Sequence, residues 1–546
     1  MNKYLTLCAV AMLAACTPIP REETNSKKAL IDTVALAKHI EILASDDFLG
    51  RKPFTEGETK TLAYLKDEFA SYGLEPGNGE SFFQDVPLVE LDAKPSPTMT
   101  ISGGKSTLEL NVAEEFVAVT ERVEEINELA DSELVFAGYG IVAPEYGWDD
   151  YAGLDVKGKT VIVMVNDPGF GGTDESFFKG NTMTYYGRWT YKYEEAARQG
   201  AAGVFIIHDT APAGYPWLVV KSGWSGAGLY LDQTGDQYKS IVQGWITRNA
   251  AIKIFEASSV DMKQYAEKAG TKGFKPLSLG LTASVSVSNA IKKDMSKNVI
   301  AKITGSENPD EYILYSAHWD HMGIGPAVDG DSIYNGAHDN ASGTAAMLAM
   351  AKAFSENNEK PKRTVVFLVV TAEEQGLLGS KYYAENPIYP VDKTVANINM
   401  DGIREFGEMK DLTVVGYGQS ELEDIAKRYA ATQGRYIMPD PEPSKGYFFR
   451  SDHFQFAKVG IPALYVYGAY ESFDPAKGVD FLQERIADYN ENRYHRPDDE
   501  YNDSWQFGGM LQDVSIFYQV GLELANSDQW PKWKEGSEFK AIREGK

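Results

Sequence analysis

The chain has 546 residues, 43% of them hydrophobic, and a formal net charge of −26. That length supports two to four domains at about 150 residues each, with real apolar cores. The acidity argues against a nucleic-acid partner, since nothing basic would neutralise phosphates; it reads as a solvated surface, with attraction of cationic substrates as the weaker alternative.

Lys3 opens a targeting segment whose apolar run, Leu5 to Ala15, is too short for a bilayer span of about 20 residues. The run ends in Leu13-Ala14-Ala15-Cys16, which resembles a bacterial lipoprotein box. That resemblance implies a signal peptide over 1–15, lipidation of Cys16 and a tether over 16–28. With Thr17 next, it further implies an outer-membrane lipoprotein of the bacterial cell envelope, facing periplasm or cell surface. An ordinary secretory signal is the alternative. Cys8 and Cys16 are the only cysteines, so the processed chain is expected to carry no free thiol and no disulfide. Its one membrane contact is then the lipid anchor.

Two amphipathic helices follow. Leu30, Val34, Ala37, Ile40 and Leu43 recur near helical spacing; Leu62, Leu65, Phe69 and Tyr72 do so more cleanly, with Gly73 as a cap. His39, with no ligand partner at suitable spacing, reads as a surface histidine. From about 85 to 290 short β-like runs alternate with glycine turns: Leu134 to Ile141, Thr160 to Val165 and Val204 to His208 as strands, and a helix from Tyr193 to Gln199. Pro168-Gly169-Phe170-Gly171-Gly172 lacks a following Lys-Ser/Thr and reads as a loop, not a phosphate cradle. His208 reads as structural.

From about 297 the pattern becomes α/β. Strands are expected at Tyr312 to Ala317, Val365 to Val370, Val395 to Asn399, Leu412 to Val415 and Ala463 to Tyr467. Helices are expected at Ser342 to Phe354, Gly376 to Glu385 and Ser420 to Thr432. Alternation of this kind predicts an open mixed sheet with helices on both faces. The tail from Trp530 is charged and reads as a solvated end.

Candidate metal ligands fall just after these strands, where open α/β sheets form their ligand crevice. They are His318, Asp339, Glu374, Asp401 and His495, with Glu373 free to act as a base. Imidazole and carboxylate suit zinc. Two histidines and three acids close two tetrahedra only if one carboxylate bridges, and Asp339 is the natural bridge. Asp320, two residues past His318, is expected to accept that ring's second proton. His321 and His338 read as pocket-lining groups.

The stretches Ser316-Ala317-His318-Trp319-Asp320-His321, Asn335 to Gly343, Thr371 to Ser380, Asn399-Met400-Asp401-Gly402 and Tyr494 to Asp499 together resemble the M28 family of zinc peptidases. Leu43 to Arg51 resembles the family's N-terminal segment. The central region, notably Lys157 to Ile162 and Ala196 to Ile207, more loosely resembles its protease-associated (PA) insert. The resemblance implies a zinc exopeptidase fold, a phosphorylase/hydrolase-like mixed sheet, with a mixed α/β insert. Its catalytic domain would span 29–110 and 291–530, the insert 111–290 and a charged tail 531–546.

The resemblance also implies two zinc ions per chain. His318 and Asp401 would hold one, Glu374 and His495 the other, with Asp339 between. Glu373 would be the base, and Tyr494 would hydrogen-bond the developing oxyanion. Arg450-Ser451-Asp452-His453 resembles a loop near the site. The main departure is His338, where relatives often carry an acid. The implied activity is an aminopeptidase acting on peptides. Alternatives are a carboxypeptidase or dipeptidase on the same fold, a one-zinc glutaminyl cyclase, or a binding protein without catalysis.

Overall fold

The computed structural model describes residues 31–232 and 238–545. The expected signal peptide, Cys16 and the tether lie outside the described residues. One mixed sheet runs Glu75–Pro76, Leu277–Ile303, Arg363–Val370, Asn308–His318, Thr394–Asn399, Ala463–Tyr467, Asp411–Val414 and Tyr436–Pro439. Its centre is parallel: Asn308–His318 lies between Arg363–Val370 and Thr394–Asn399, and Ala463–Tyr467 extends it.

Arg363–Val370 and Thr394–Asn399 are buried at every position, since both faces are covered; the first is a near-continuous apolar run, and the second satisfies Asn397 and Asn399 by hydrogen bonds to Ser316 and Ser451. Side chains alternate between two cores. Val365, Phe367 and Val369 face the helices Thr33–Leu43, Glu56–Ser71, Ser342–Ser355 and Phe507–Ala525. Val366, Leu368 and Val370 face Leu378–Glu385 and His453–Lys458. Helices on both faces of a mixed sheet are the expected fold class. The expected elements are present with ends moved by a few residues. The helix expected from Gly376 begins at Leu378, because Gly376 sits at φ +111°.

Residues between these strands build a second sheet. Ile126–Phe136, Thr160–Met164, Gly203–His208 and Val242–Thr247 run parallel, and Phe116–Val119 closes it antiparallel. The 27-residue strand Leu277–Ile303 belongs to both sheets: 277–288 pairs with Ile126–Phe136, 287–299 with Phe83–Pro95 and 299–303 with Arg363–Val370. A further seam docks the second unit on the first. Lys458 Nζ meets Glu194 Oε1 at 2.8 Å, Lys179 Nζ meets Glu538 Oε2 at 2.5 Å, and Met183 N donates to Pro443 O at 3.1 Å. Tyr185 packs edge-on against Phe454 with ring centres 5.0 Å apart.

Two expectations are corrected. His39 is buried, not superficial, with its ring nitrogens at 2.6 Å from the Tyr64 hydroxyl and 3.0 Å from that of Tyr72. Both tyrosines come from the next helical segment, whose packing no local pattern shows. The charged tail is not a solvated end throughout: Trp533 and Phe539 are buried, and Arg543 donates to Val391 O and Thr394 O. Among the described residues no helix is long and apolar enough to cross a membrane.

Candidate metal centre

Three parallel neighbours end at one edge of the sheet and deliver acid and imidazole there. His318 is the last residue of its strand; Glu373 and Glu374 follow Arg363–Val370, and Asp401 follows Thr394–Asn399. Asp339 enters from the turn before the Ser342–Ser355 helix, where the Asp339–Asn340 peptide is cis. His495 comes from the segment after Val479–Asp488.

All five expected ligands converge. His318 Nε2 lies 3.3 Å from Asp339 Oδ1 and 3.3 Å from Asp401 Oδ1. His495 Nε2 lies 3.3 Å from Asp339 Oδ2 and 3.0 Å from Glu374 Oε2. Asp339 thus points one oxygen into each half. Glu373 Oε2 stands 3.9 Å from His318 Nε2. The donor atoms of His318, Asp339 and Asp401 lie within 4.8 Å of one another, as do those of His321, Asp339 and Glu374. His321 is therefore a second imidazole beside the Glu374 half. Its Nδ1 is hydrogen-bonded to Glu374 Oε1 at 2.6 Å, and the Nε2 atoms of His321 and His495 are both buried without a hydrogen bond.

The loops are held from behind. Arg51 is buried and donates from Nε to Trp319 O (2.9 Å), from Nη1 to Leu43 O and Asn335 O (2.6 Å each) and from Nη2 to Gly336 O (2.9 Å). Asp499 accepts the N–H groups of His338 (3.0 Å) and Asp339 (3.1 Å). Asn340 donates to Met400 O and accepts from Gly343 N and Gly402 N, tying the Asp339 turn to the Asp401 turn. His495 and Ala372, which precedes Glu373, take φ of 56° and 52°, left-handed conformations that cost other residues about 1–3 kcal/mol and cluster at functional sites.

The electrostatics fit divalent cations. Asp320, Asp339, Glu373, Glu374, Asp401 and Asp452 share one neighbourhood. Burial, then the Asp401 and Glu374 charges, push Glu373 well above the usual carboxylate range against the pull of His318. Burial likewise raises Asp320 and Asp452 to about 7. His318 is raised well above an ordinary imidazole: burial opposes this, but Glu373 and Asp401 outweigh it. His495 is raised to about 10 against burial, chiefly by Glu374 and Asp339. Carboxylates packed this closely cannot all ionise unless cations enter. The donors, oxygens and imidazole nitrogens, suit zinc.

Asp320 acts differently from expectation. Its carboxylate accepts the N–H groups of Glu373 (3.0 Å) and Glu374 (3.4 Å), while the ring Nδ1 of His318 faces the Asp320 peptide carbonyl at 3.2 Å and its carboxylate only at 3.8 Å. The carboxylate is held by backbone donors of a neighbouring strand end, which sequence spacing cannot reveal. Tyr494 is exposed, and its ring stacks on that of His495 at 3.8 Å. His338 points away from the cluster, with Nδ1 3.2 Å from Glu405 Oε2. In the 450–453 loop three side chains face inward: Ser451 accepts from Asn399, Asp452 accepts from Ser380, and His453 is buried against Phe448 and Tyr465. Sequence reasoning missed the clamp by Arg51; its signal was a charged residue beside Gly50 in the Leu43–Arg51 stretch.

Residues 298–516 match the model of Peptidase family M28. A probable zinc metalloprotease of Pyrenophora teres f. teres (strain 0-1) is 40% identical over 103 residues, 19% of this chain and 22% of that protein. A glutamate carboxypeptidase 2 homolog of Caenorhabditis elegans is 36% identical over 130 residues, 23% of this chain and 16% of that protein. The chain thus spans less than a quarter of either relative. A solved aminopeptidase from Aneurinibacillus sp. strain AM-1 superposes over 94% of this chain and 96% of its own, at 21% identity and a TM-score of 0.48.

Proposed function

We propose that the chain, whose segment 298–516 matches Peptidase family M28, is a zinc metallopeptidase. In this reading it is an exopeptidase with two zinc ions, and an aminopeptidase foremost. The observation that carries the reading is the split of Asp339: Oδ1 lies 3.3 Å from His318 Nε2 and Oδ2 lies 3.3 Å from His495 Nε2. His318 with Asp401 would hold one ion, Glu374 with His495 the other, and Asp339 both. Zinc there supplies Lewis acidity toward the scissile carbonyl and an attacking water.

The remaining work falls to side chains. Glu373 has no ligand role in this scheme and stands at the lip of both halves. Free of ligand duty and 3.9 Å from His318 Nε2, it would take a proton from the attacking water at one carboxylate oxygen and hand it to the leaving amine. His321 fixes the Glu374 carboxylate, and Asp320 fixes the backbone that carries both glutamates. Tyr494, exposed and stacked on His495, would hydrogen-bond the oxygen charge developing on the carbonyl.

The test is hydrolysis of aminoacyl amides by the purified chain, abolished by a chelator and restored by zinc, with two ions per chain by elemental analysis. One ion per chain with cyclisation of N-terminal glutamine would replace this reading with a glutaminyl cyclase. A carboxypeptidase or dipeptidase is the second reading, favoured by the likeness to a glutamate carboxypeptidase 2 homolog. The lipoprotein-like Leu13 to Cys16 supports an envelope location, testable by labelling with a radiolabelled fatty acid.

A further inference from the structure

The segment that carries Glu373 and Glu374 is seated on the inserted unit and on the ribbon that joins this unit to the catalytic sheet. Ala372, the residue before Glu373, is fully buried at a φ of 52°. A left-handed alanine costs about 1–3 kcal/mol and persists only where its surroundings over-determine it. Here that turn aims the base. Among the described residues the Glu373 carboxylate makes no hydrogen bond and stands 3.9 Å from His318 Nε2, so its direction comes from its backbone.

Three holds act on that backbone. In front, the Asp320 carboxylate accepts the N–H groups of Glu373 and Glu374. At the sides, the long strand Leu277–Ile303 supplies polar grips. Asn298 Oδ1 accepts from Thr371 N at 3.0 Å, and Asn298 Nδ2 donates to Gly379 O at 3.0 Å. Ser296 Oγ shares a hydrogen bond with Thr371 Oγ1 at 2.6 Å. The fit is close: a Cβ on Gly379 would lie 2.4 Å from Thr371 O and 2.5 Å from Asn298 Oδ1. Behind, Ala372 and Leu378 share a small buried apolar cluster with Val86, Leu88, Leu229 and Leu231. Leu229 and Leu231 belong to Gly226–Leu231, a strand of the inserted segment. It pairs antiparallel with Phe83–Pro95, Leu231 opposite Leu88, and lies against the helix Leu378–Glu385. The apolar cores within the inserted unit are separate and gather elsewhere, around Phe205 and Ile246 and around Val204 and Trp245.

We infer that Leu229 and Leu231 of the inserted unit are positioning residues for Glu373, holding the Ala372 turn through the buried cluster they share with it. This rests on the reading of Glu373 as the base of a peptidase. Neither leucine belongs to the metal cluster; each acts through the backbone. Shortening either opens a void behind Ala372, and a turn held away from its relaxed conformation moves into the space. A displacement of about 1 Å at a reacting group costs up to about 100-fold in rate. The inserted unit is thereby coupled to the chemical step itself and not only to access.

The experiment uses the full chain loaded with zinc and the amides of alanine and leucine. Leu231→Ala is expected to lower kcat about 10- to 100-fold, with KM within about threefold and zinc content unchanged. Leu231→Val loses less in the same direction, and carries the test should the alanine variant fail to fold. Leu129→Ala, in the inserted unit's own core, controls for plain destabilisation and leaves kcat within about twofold. The decisive arm is the Glu373→Ala background. A residue that acts only through Glu373 has nothing left to position there, so Leu231→Ala costs no further activity. An undiminished loss in that background, an equal loss in Leu129→Ala, or no loss in the parent overturns the inference. Hydrogen exchange of the peptide 371–379 reads the same coupling without catalysis: exchange about tenfold faster in Leu231→Ala and unchanged in Leu129→Ala. That change in a chain that hydrolyses no amide keeps the coupling and overturns the peptidase. Hydrolysis with kcat and exchange both unaltered does the reverse.

Discussion

The inserted unit and the metal centre both bury acids, and they settle the charge in opposite ways. In the insert, Lys192 is fully buried near Asp150 and Asp167, and its Nζ donates to Asn166 O at 2.8 Å. Asp150 accepts from Tyr139 N, Ile141 N and Trp148 Nε1; Asp167 accepts from Gly169 N, Thr184 N and Thr184 Oγ1. Every carboxylate oxygen there has a donor and a lysine stands beside the pair, although burial still raises Asp150 to about 7 and lowers Lys192 to about 7. At the strand ends six carboxylates crowd three imidazoles, and His495 Nε2 has no hydrogen bond. A structural charge network closes on itself; a functional one is left short of positive charge. The difference is the physical mark of a site meant for something the chain does not encode.

The comparison breaks most visibly at Glu373. Glu373→Ala should lower kcat by about 10²- to 10⁴-fold with metal content near normal, whereas Glu374→Ala should lose metal, both read by kinetics and elemental analysis. If Glu374→Ala kept its metal and Glu373→Ala lost it, the two roles would be exchanged. Next comes the closed network. Lys192→Met removes its cation and should destabilise the insert by about 3–5 kcal/mol in denaturant titration.

A neutral buried group gives a smaller effect with a defined sign. Burial lowers His453 to about 3, so the folded state keeps it unprotonated while the unfolded chain takes up a proton below its ordinary 6.5. Stability from this residue is full above pH 6.5 and falls as pH drops toward 3, by about 1.4 kcal/mol per unit. His453→Phe should flatten that slope in pH-dependent thermal melts. The smallest effect sharpens the comparison most. Glu373 has its folded pKa raised, so at neutral pH its charge costs folding free energy when no cation is bound. Glu373→Gln should therefore stabilise the chelated protein by about 0.5–2 kcal/mol, a gain that shrinks once zinc is restored. A chelated Glu373→Gln chain that melts lower than the parent would contradict a charge-strained site.

The catalytic sheet was legible because its central strands are apolar on both faces. That holds for Val365 to Val370; Val395 to Asn399 buries Asn397 and Asn399 on one face through hydrogen bonds to Ser316 and Ser451, and candidate ligands follow both strands. The long strand Leu277–Ile303 was not legible, since its burial alternates in one half and fades to exposed Lys292, Lys293 and Asp294 in the middle. His39 was misread because its partners, Tyr64 and Tyr72, sit 25 and 33 residues away on a packed helical segment.

Local order determined a good deal by itself: the period of the strands, and the acids and histidines at their ends. These depend on side-chain type and short-range spacing, which the chain carries in its covalent order. Only the tertiary structure decided which oxygen of Asp339 faces which histidine, that the Asp320 carboxylate holds backbone rather than imidazole, and that Arg51 clamps the loops behind the site. Those contacts join residues separated by tens to hundreds of positions, and their energies depend on burial that exists only after the sheets have packed.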